Sequence, residues 1–218
     1  MITLQNTASV RVMLVRHGMT LWNKHSRYQG HTDVPLSIEG LEQAKRAAAR
    51  LEAERITRIY SSDLSRAHLT AQVIACRHGL PVIRDPRLRE IGFGKWEGLT
   101  YAEISQRWPE LQKRWFSDPV SHTPPEAEST EDLRKRLEQA LSDIYKDLVR
   151  CTELTPGIAP LGVIVAHGGV IRALISLSLT GSMRSLWSCA VSQASVTEGE
   201  LYPGRLKITC RNDVSHLA

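Results

Sequence analysis

The 218-residue chain reads as a single α/β domain, a three-layer α/β/α arrangement with a mostly parallel central sheet and a helical lid insertion. Three observations predict this. The runs VRVMLVR (10–16) and VIVA (163–166) are short, mostly apolar and rich in β-branched residues, as buried parallel strands are, and RIYS (58–61) reads as a further strand. Between them lie segments with apolar residues at helical spacing. The connections are short, with no internal repeat or low-complexity tract to interrupt the alternation.

Val10–Arg16 is the first strand. Ser37, just after Pro35, is placed to cap a helix from Ile38 to about Glu54, with Leu41, Ala44, Ala48 and Leu51 on one face. Arg58–Ser61 is the second strand. A helix follows from about Leu64 to Arg77, with Gly79 placed to end it. Residues 81–84 form a short third strand, and 88–99 a loop rich in glycine and aromatics. Thr100 caps a short helix through Trp108, and the proline-rich stretch 117–129 is a surface loop. Ser129-Thr130-Glu131-Asp132 resembles a capping box that opens an amphipathic helix to about Arg150. Its stripe is Leu133, Leu137, Leu141, Ile144 and Leu148. The strand 163–166 is followed by a helix over 169–179. Tyr202-Pro203-Gly204-Arg205 is a type II turn joining strands 194–202 and 206–211. The span 92–160 lacks strand signals and reads as a helical insertion within the one domain.

Composition limits the function. Hydrophobic residues make up 42% and charged residues 23%, which excludes disordered and collagen-like classes. Lys and Arg number 28 against 23 Asp and Glu, a net +5 that favours anionic partners. Cys76, Cys151, Cys189 and Cys210 are scattered. They form no CxxC pair, so they read as small core residues with reduced thiols, and the expected compartment is the cytoplasm. The N-terminal residues lack the basic and apolar regions of a leader. The apolar stretch Leu161 to Leu179 carries His167, Arg172 and two glycines, which argues for a buried strand and helix and against a membrane span.

In doubly wound folds ligands bind beyond the carboxyl ends of the strands. Four segments fall there: Arg16-His17-Gly18, Ser61 to Arg66, Glu90, and His167-Gly168-Gly169. A lone strand-end histidine is usually structural, Arg66 alone reads as a surface side chain, and Glu90 beside Arg89 as half of a surface pair. Together, two histidines and two arginines at one sheet edge make a phosphoryl-transfer pocket. Arginine forks match phosphate oxygens, and an imidazole can attack phosphorus. The helix N-termini at Arg66 and Gly169 would add backbone N–H donors, and Glu90 would protonate the leaving alkoxide. Glycines 18, 168 and 169 leave room for a ligand.

LVRHGMTLWN (14–23), SSDLSRAHLTA (61–71), LREIGFGKWEG (88–98) and VAHGGVIR (165–172) resemble, in order, the motifs of the histidine phosphatase superfamily, phosphoglycerate mutase-like branch. The resemblance implies His17 as the phosphate-accepting nucleophile, Arg16, Arg66 and His167 as phosphoryl ligands, and Glu90 as general acid and later base. Asn23, Gln29, Gly30 and Gly168 would contact substrate; neither a metal nor a cofactor is implied. Met19 departs from the Glu or Gln usual in the family.

The loop GFGKWEGLT resembles the phosphatase members more than the mutases, and Lys113 with Arg114 only weakly matches the paired arginines by which mutases hold a carboxylate. PPEAES (124–129) and NDVSHL (212–217) resemble motifs of α-ribazole phosphatases of cobalamin biosynthesis, with Glu126 and Ala127 in place of two glycines. The expected activity is therefore phosphomonoester hydrolysis, with cofactor-dependent phosphoglycerate mutase as the alternative. Trp22, Trp96, Trp108 and Trp115 are candidates for an apolar substrate wall, or else core. The expected partner is a small phosphorylated substrate rather than nucleic acid or membrane. The basic residues alternate with acids, as in RAAARLEAER, and do not form a nucleic-acid stripe. No HxH, HExxH or HxxEH spacing supports a metal-dependent hydrolase. A homodimer is left open, since no exposed stripe specifies one.

Overall fold

The computed structural model describes residues 9–154 and 159–218. Residues 1–8, part of the leader-free N-terminal reading, and 155–158, at the end of the strand-free span, lie outside them.

Six strands form one sheet in the order β3-β2-β4-β1-β5-β6. They are β1 (Val10–Arg16), β2 (Arg58–Ser61), β3 (Val82–Arg84), β4 (Leu161–Ala166), β5 (Val196–Tyr202) and β6 (Arg205–Asp213). Strands β3, β2, β4 and β1 are mutually parallel; β5 runs antiparallel to β1 and pairs with β6 as a hairpin. The hairpin turns through Pro203 and Gly204, the latter at φ +68°. In the parallel ladder Arg16 lies opposite Ala166 and Ser61 opposite Val165. Three strands therefore end level, and their next residues emerge at one edge.

Alternation along the strands separates two cores. Val12, Leu14, Ile164 and Ala166 join the larger cluster, with Leu133, Leu137 and Leu148 of α6 (Thr130–Leu154) and Val170, Ile171 and Leu174 of α7 (Gly168–Thr180). Met13, Val15, Val163 and Val165 point the other way. They meet Ala48 and Leu51 of α2 (Ile38–Leu51) and Ala67, Ala71 and Ile74 of α3 (Ser65–His78). The small alanines bring α2 and α3 close to the sheet and to each other. The inner parallel strands β1, β2 and β4 are thus covered on both faces, while the edge strand β3 stays largely exposed. Of the strand-free span, α6 is a covering helix of the sheet, while α4 (Tyr101–Arg107) and α5 (Pro109–Ser117) buttress the rim at the strand ends.

Several boundaries differ from the sequence expectation for physical reasons. Trp108 ends α4 and precedes α5, whose first residue is Pro109; the expected helix through Trp108 is followed at once by another. A short α1 (Leu21–Lys24) was unread, though Thr20 and Asn23 form its capping box. Strand β5 starts at Val196 and not Ala194, because Ala194 adopts φ +55°. The cysteines do not all fill the core: Cys151 is buried, Cys189 half-buried, and Cys76 and Cys210 exposed. The apolar stretch at 161–179 is β4 and most of α7, and no helix among the described residues is long and apolar enough to cross a membrane.

Candidate active site

The level strand ends deliver Arg16, His17 and His167 side by side. His17 is 3% exposed, His167 fully buried, and their rings lie 5.1 Å apart, edge to face. The His17 backbone is fixed on both sides: its N–H donates to Ala166 O, and its carbonyl accepts from Ala194 N–H. Its Nδ1 lies 2.7 Å from the Gly18 carbonyl. A carbonyl only accepts, so Nδ1 carries the proton and Nε2 keeps its lone pair. Burial, then the charges of Arg66 and Arg16, hold the His17 pKa well below its ordinary value. The ring is therefore neutral at pH 7, with the tautomer of a nucleophile.

His167 is also held well below the ordinary histidine value, by burial first and then by Arg66, His17 and Arg16. Neither of its ring nitrogens has a hydrogen-bond partner. The Arg16 Nε is similarly buried and unpartnered, while its Nη1 donates to Val191 O at 2.6 Å. Orphaned polar atoms of this kind cost about 1–3 kcal/mol each. An anion between His17, His167 and Arg16 would satisfy them.

Arg66, on the first turn of α3, is fully buried. Its Nη2 donates to Gly30 O at 2.7 Å and its Nη1 to Thr32 O at 3.0 Å. The Gln29 amide, turned so that its nitrogen donates to Thr20 Oγ1, offers its oxygen to Arg66 Nη1 at 3.2 Å. Burial lowers the pKa of Arg66 to about 10; burial and then the neighbouring Arg172 lower that of Arg16 to about 10. Both stay charged at neutral pH.

Glu90, 7% exposed, turns its carboxylate onto the N-terminus of α7. Oε2 accepts from Gly169 N–H (2.9 Å); Oε1 accepts from Val170 N–H (3.2 Å) and Ile91 N–H (2.9 Å). The N-terminus of α3 is similarly occupied, with Asp33 accepting from the Ser65 N–H and hydroxyl. The expectation that these two helix ends offer free N–H groups to a ligand is thus corrected. Carboxylates of the chain already take them, and the arginines are left as the anion receptors.

A cavity opens over this cluster. Arg16, His17, Asn23, Gln29, Glu90 and Gly168 line it, as expected. Gly30 does not: its carbonyl positions Arg66, and a Cβ there would strike Glu97. Arg66 and His167 lie buried outside the lining, next to His17. Met19 stays off the cavity, its backbone bonded to Ser37 and Gln43. Of the four tryptophans considered, Trp96 and Trp115 are fully buried, Trp108 packs against the core, Trp22 sits against Gly98, and none lines the cavity.

Six lining residues were missed: Ser26, Arg27, Tyr28, Phe93, Arg172 and Trp187. Arg172, one turn into α7, donates from Nε to Cys189 O and stands 5.9 Å from the Trp187 ring. A Cβ on Gly168 would lie 3.1 Å from both Arg172 Nη1 and Arg16 Cζ, so glycine there lets two guanidiniums converge. Arg172 ends the motif VAHGGVIR, and its place just over one turn beyond His167 was the available signal. Trp187 lies in an irregular segment that no periodicity marks. It packs on Phe93, Trp115 and Phe116, so α5 supports the cavity wall. Among the described residues no group of three or more His, Cys, Asp or Glu is gathered as a metal-ligand set.

Comparison with known proteins agrees with this geometry. The family description "Histidine phosphatase superfamily (branch 1)" matches residues 12–214, and the chain belongs to that superfamily. It is 34% identical over 213 residues to "Probable phosphoglycerate mutase GpmB" of Yersinia pestis (strain Pestoides F), covering 95% of each chain. The native structure of a mycobacterial glucosyl-3-phosphoglycerate phosphatase superposes with TM-score 0.83 at 32% identity, covering 94% of this chain and 99% of that one. The α-ribazole phosphatase of Shigella flexneri gives 0.76 at 27%, covering 93% and 96%.

Proposed function

We propose that the chain is a metal-independent phosphatase that hydrolyses small phosphomonoesters through a phosphohistidine on His17. The observation that carries this reading is the neutral His17, its Nε2 lone pair free, beside unpartnered His167 and the Arg16, Arg66 and Arg172 guanidiniums. In the first step Nε2 attacks phosphorus, the P–O ester bond breaks, and protonated Glu90 gives its proton to the departing alkoxide. Oε2 accepts one backbone N–H bond where Oε1 accepts two, so Oε2 has the freer lone pair for that proton. Water then attacks the phosphohistidine and passes a proton to the Glu90 carboxylate; the P–N bond breaks and inorganic phosphate leaves. The guanidiniums stabilise the charge on the equatorial oxygens in both steps.

Hydrolysis is favoured over mutase chemistry because Lys113 and Arg114 are both exposed on the outer side of α5, away from the cavity. For substrate, α-ribazole 5′-phosphate is the first to test, on the resemblance of PPEAES and NDVSHL. Both segments act as scaffolding, however. Glu128 pairs with Arg136, while Asn212 accepts from Ser192 N–H and His216 lies 3.0 Å from Ala194 O. Neither reaches the cavity lining. The mycobacterial neighbour, named for glucosyl-3-phosphoglycerate, makes sugar-linked phosphoglycerates the second class to test, and the cytoplasm is the proposed compartment.

The test is a hydrolysis screen over phosphomonoesters including both substrates and 3-phosphoglycerate, with a rapid quench that preserves acid-labile phosphate. Phosphate on His17 in the wild type and none in His17→Ala is expected. Sustained turnover by His17→Ala would overturn the mechanism, and dominant phosphate transfer between alcohols would overturn the choice of hydrolysis.

A further inference from the structure

We infer that Arg136, clamped to Glu128, is a positioning residue that sets Glu90 for proton transfer. The inference rests on the proposed role of Glu90 as proton donor. Glu90 lies between two 3-10 turns (Pro86–Leu88 and Gly94–Trp96), in a segment with no sheet or helix ladder to fix it. Its main chain is held instead by side chains: His31 Nε2 lies 2.9 Å from Glu90 O, and Arg136 of α6 spans the segment. Arg136 Nη1 donates to Arg87 O (2.6 Å) and Arg89 O (2.7 Å), and Nη2 donates to Glu90 O (3.0 Å). The remaining donors form a fork with Glu128, Nε to Oε1 at 2.5 Å and Nη2 to Oε2 at 2.8 Å.

Glu128 is fixed in turn. Its N–H donates to Gly92 O at 2.8 Å, and its Oε2 accepts from Gly92 N–H at 3.3 Å. The guanidinium thus gathers three carbonyls of the 87–90 segment and one carboxylate. The two side chains are only 17% and 14% exposed, so solvent competes weakly for these bonds. A lysine ammonium has three donors on a flexible stem and cannot reproduce that fork. Arg136 touches no cavity-lining side chain's reactive atom; it acts through the Glu90 backbone. A carboxyl displaced by a fraction of an ångström loses its line to the leaving oxygen, which general acid catalysis does not tolerate.

Leaving-group dependence separates positioning from simple damage. An alkyl phosphate needs the proton; p-nitrophenyl phosphate, whose phenolate leaves readily, hardly does. Arg136→Lys and Arg136→Met are expected to lose kcat on a primary alkyl phosphate by about tenfold or more. They should stay within about threefold on p-nitrophenyl phosphate in single-turnover phosphorylation of His17, with KM little changed on either ester. Glu90→Gln should show the same asymmetry, larger, and Glu90→Gln/Arg136→Lys should be no slower than Glu90→Gln alone. Equal losses on both esters in Arg136→Lys, with Glu90→Gln still asymmetric, would overturn the positioning role. Equal losses in Glu90→Gln would instead overturn Glu90 as the acid. If Arg136→Met does not fold, Arg136→Lys carries the same comparison.

Discussion

Two buried histidines stand side by side, and their partners distinguish them. His17 has its Nδ1 proton fixed by the next carbonyl, whereas both nitrogens of His167 wait for a ligand. Replacing Arg16 by Met removes one of the charges that depress the His17 pKa, so its titration should move up toward the ordinary value, as NMR of the ring would measure. An unmoved titration would leave the depression to burial and Arg66. Arg172→Ala removes a second cavity guanidinium, and a charged hydrogen bond is worth about 1.5–3 kcal/mol. KM for a phosphomonoester should therefore rise by roughly one to two orders of magnitude, while single-turnover chemistry on the saturated enzyme changes less. The strand-end residues Arg16, His17 and His167 were legible because an apolar run announces where a strand stops. Arg172 and Trp187 were not, since their place depends on how α7 rotates and how the segment after it folds back.

At the level of elements, the join between β1 and α2 is the tightest point. A Cβ on Gly40 would lie 2.0 Å from Met19 O, and one on Gly18 would lie 2.2 Å from Gly40 O. The segment after His17 and the first turn of α2 therefore pack backbone to backbone. Helix propensity alone predicts that Gly40→Ala stabilises by about 1 kcal/mol. The clash is with main chain that cannot swing away, and overpacking costs about 1–3 kcal/mol. Net destabilisation of up to about 2 kcal/mol follows, read as a lower urea midpoint with an unchanged m-value. A higher midpoint would mean that the loop yields. Helices α2, α3, α6 and α7 were readable from caps and periodicity. The division of 101–117 into two helices was not, because it turns on the backbone at Trp108. Glu126 takes φ +60° in PPEAES, the left-handed conformation that glycine adopts without strain, so the sequence departure there falls where the backbone bends hardest.

For the whole molecule, charge placement outweighs charge total. The +5 excess is spread over a surface of many ion pairs. Around the cavity Arg16, Arg66 and Arg172 face one carboxylate whose oxygens are engaged by backbone N–H groups. The same cluster makes stability depend on pH. His17 and His167 titrate below 6.5 when folded and near 6.5 when unfolded. Between those values the unfolded chain binds more protons, so stability is full above about pH 6.5 and falls on acidification, by up to about 1.4 kcal/mol per pH unit for each ring. Added phosphate should oppose the loss by binding only the folded form. Urea unfolding from pH 7.5 to 5.5 would measure the slope, and a flat profile would show that neither ring is held neutral.

The strand that delivers His17 has a parallel neighbour on one side and an antiparallel one on the other, and main-chain bonds reach it from both. Its amide cannot open by fraying at an edge. In deuterated solvent the His17 N–H should exchange only as fast as the entire sheet comes apart, while amides of the mouth at Asn23 to Tyr28 exchange by local opening. Access to the cavity and the position of the His17 ring therefore answer to different barriers: the rim can breathe without disturbing the strand end.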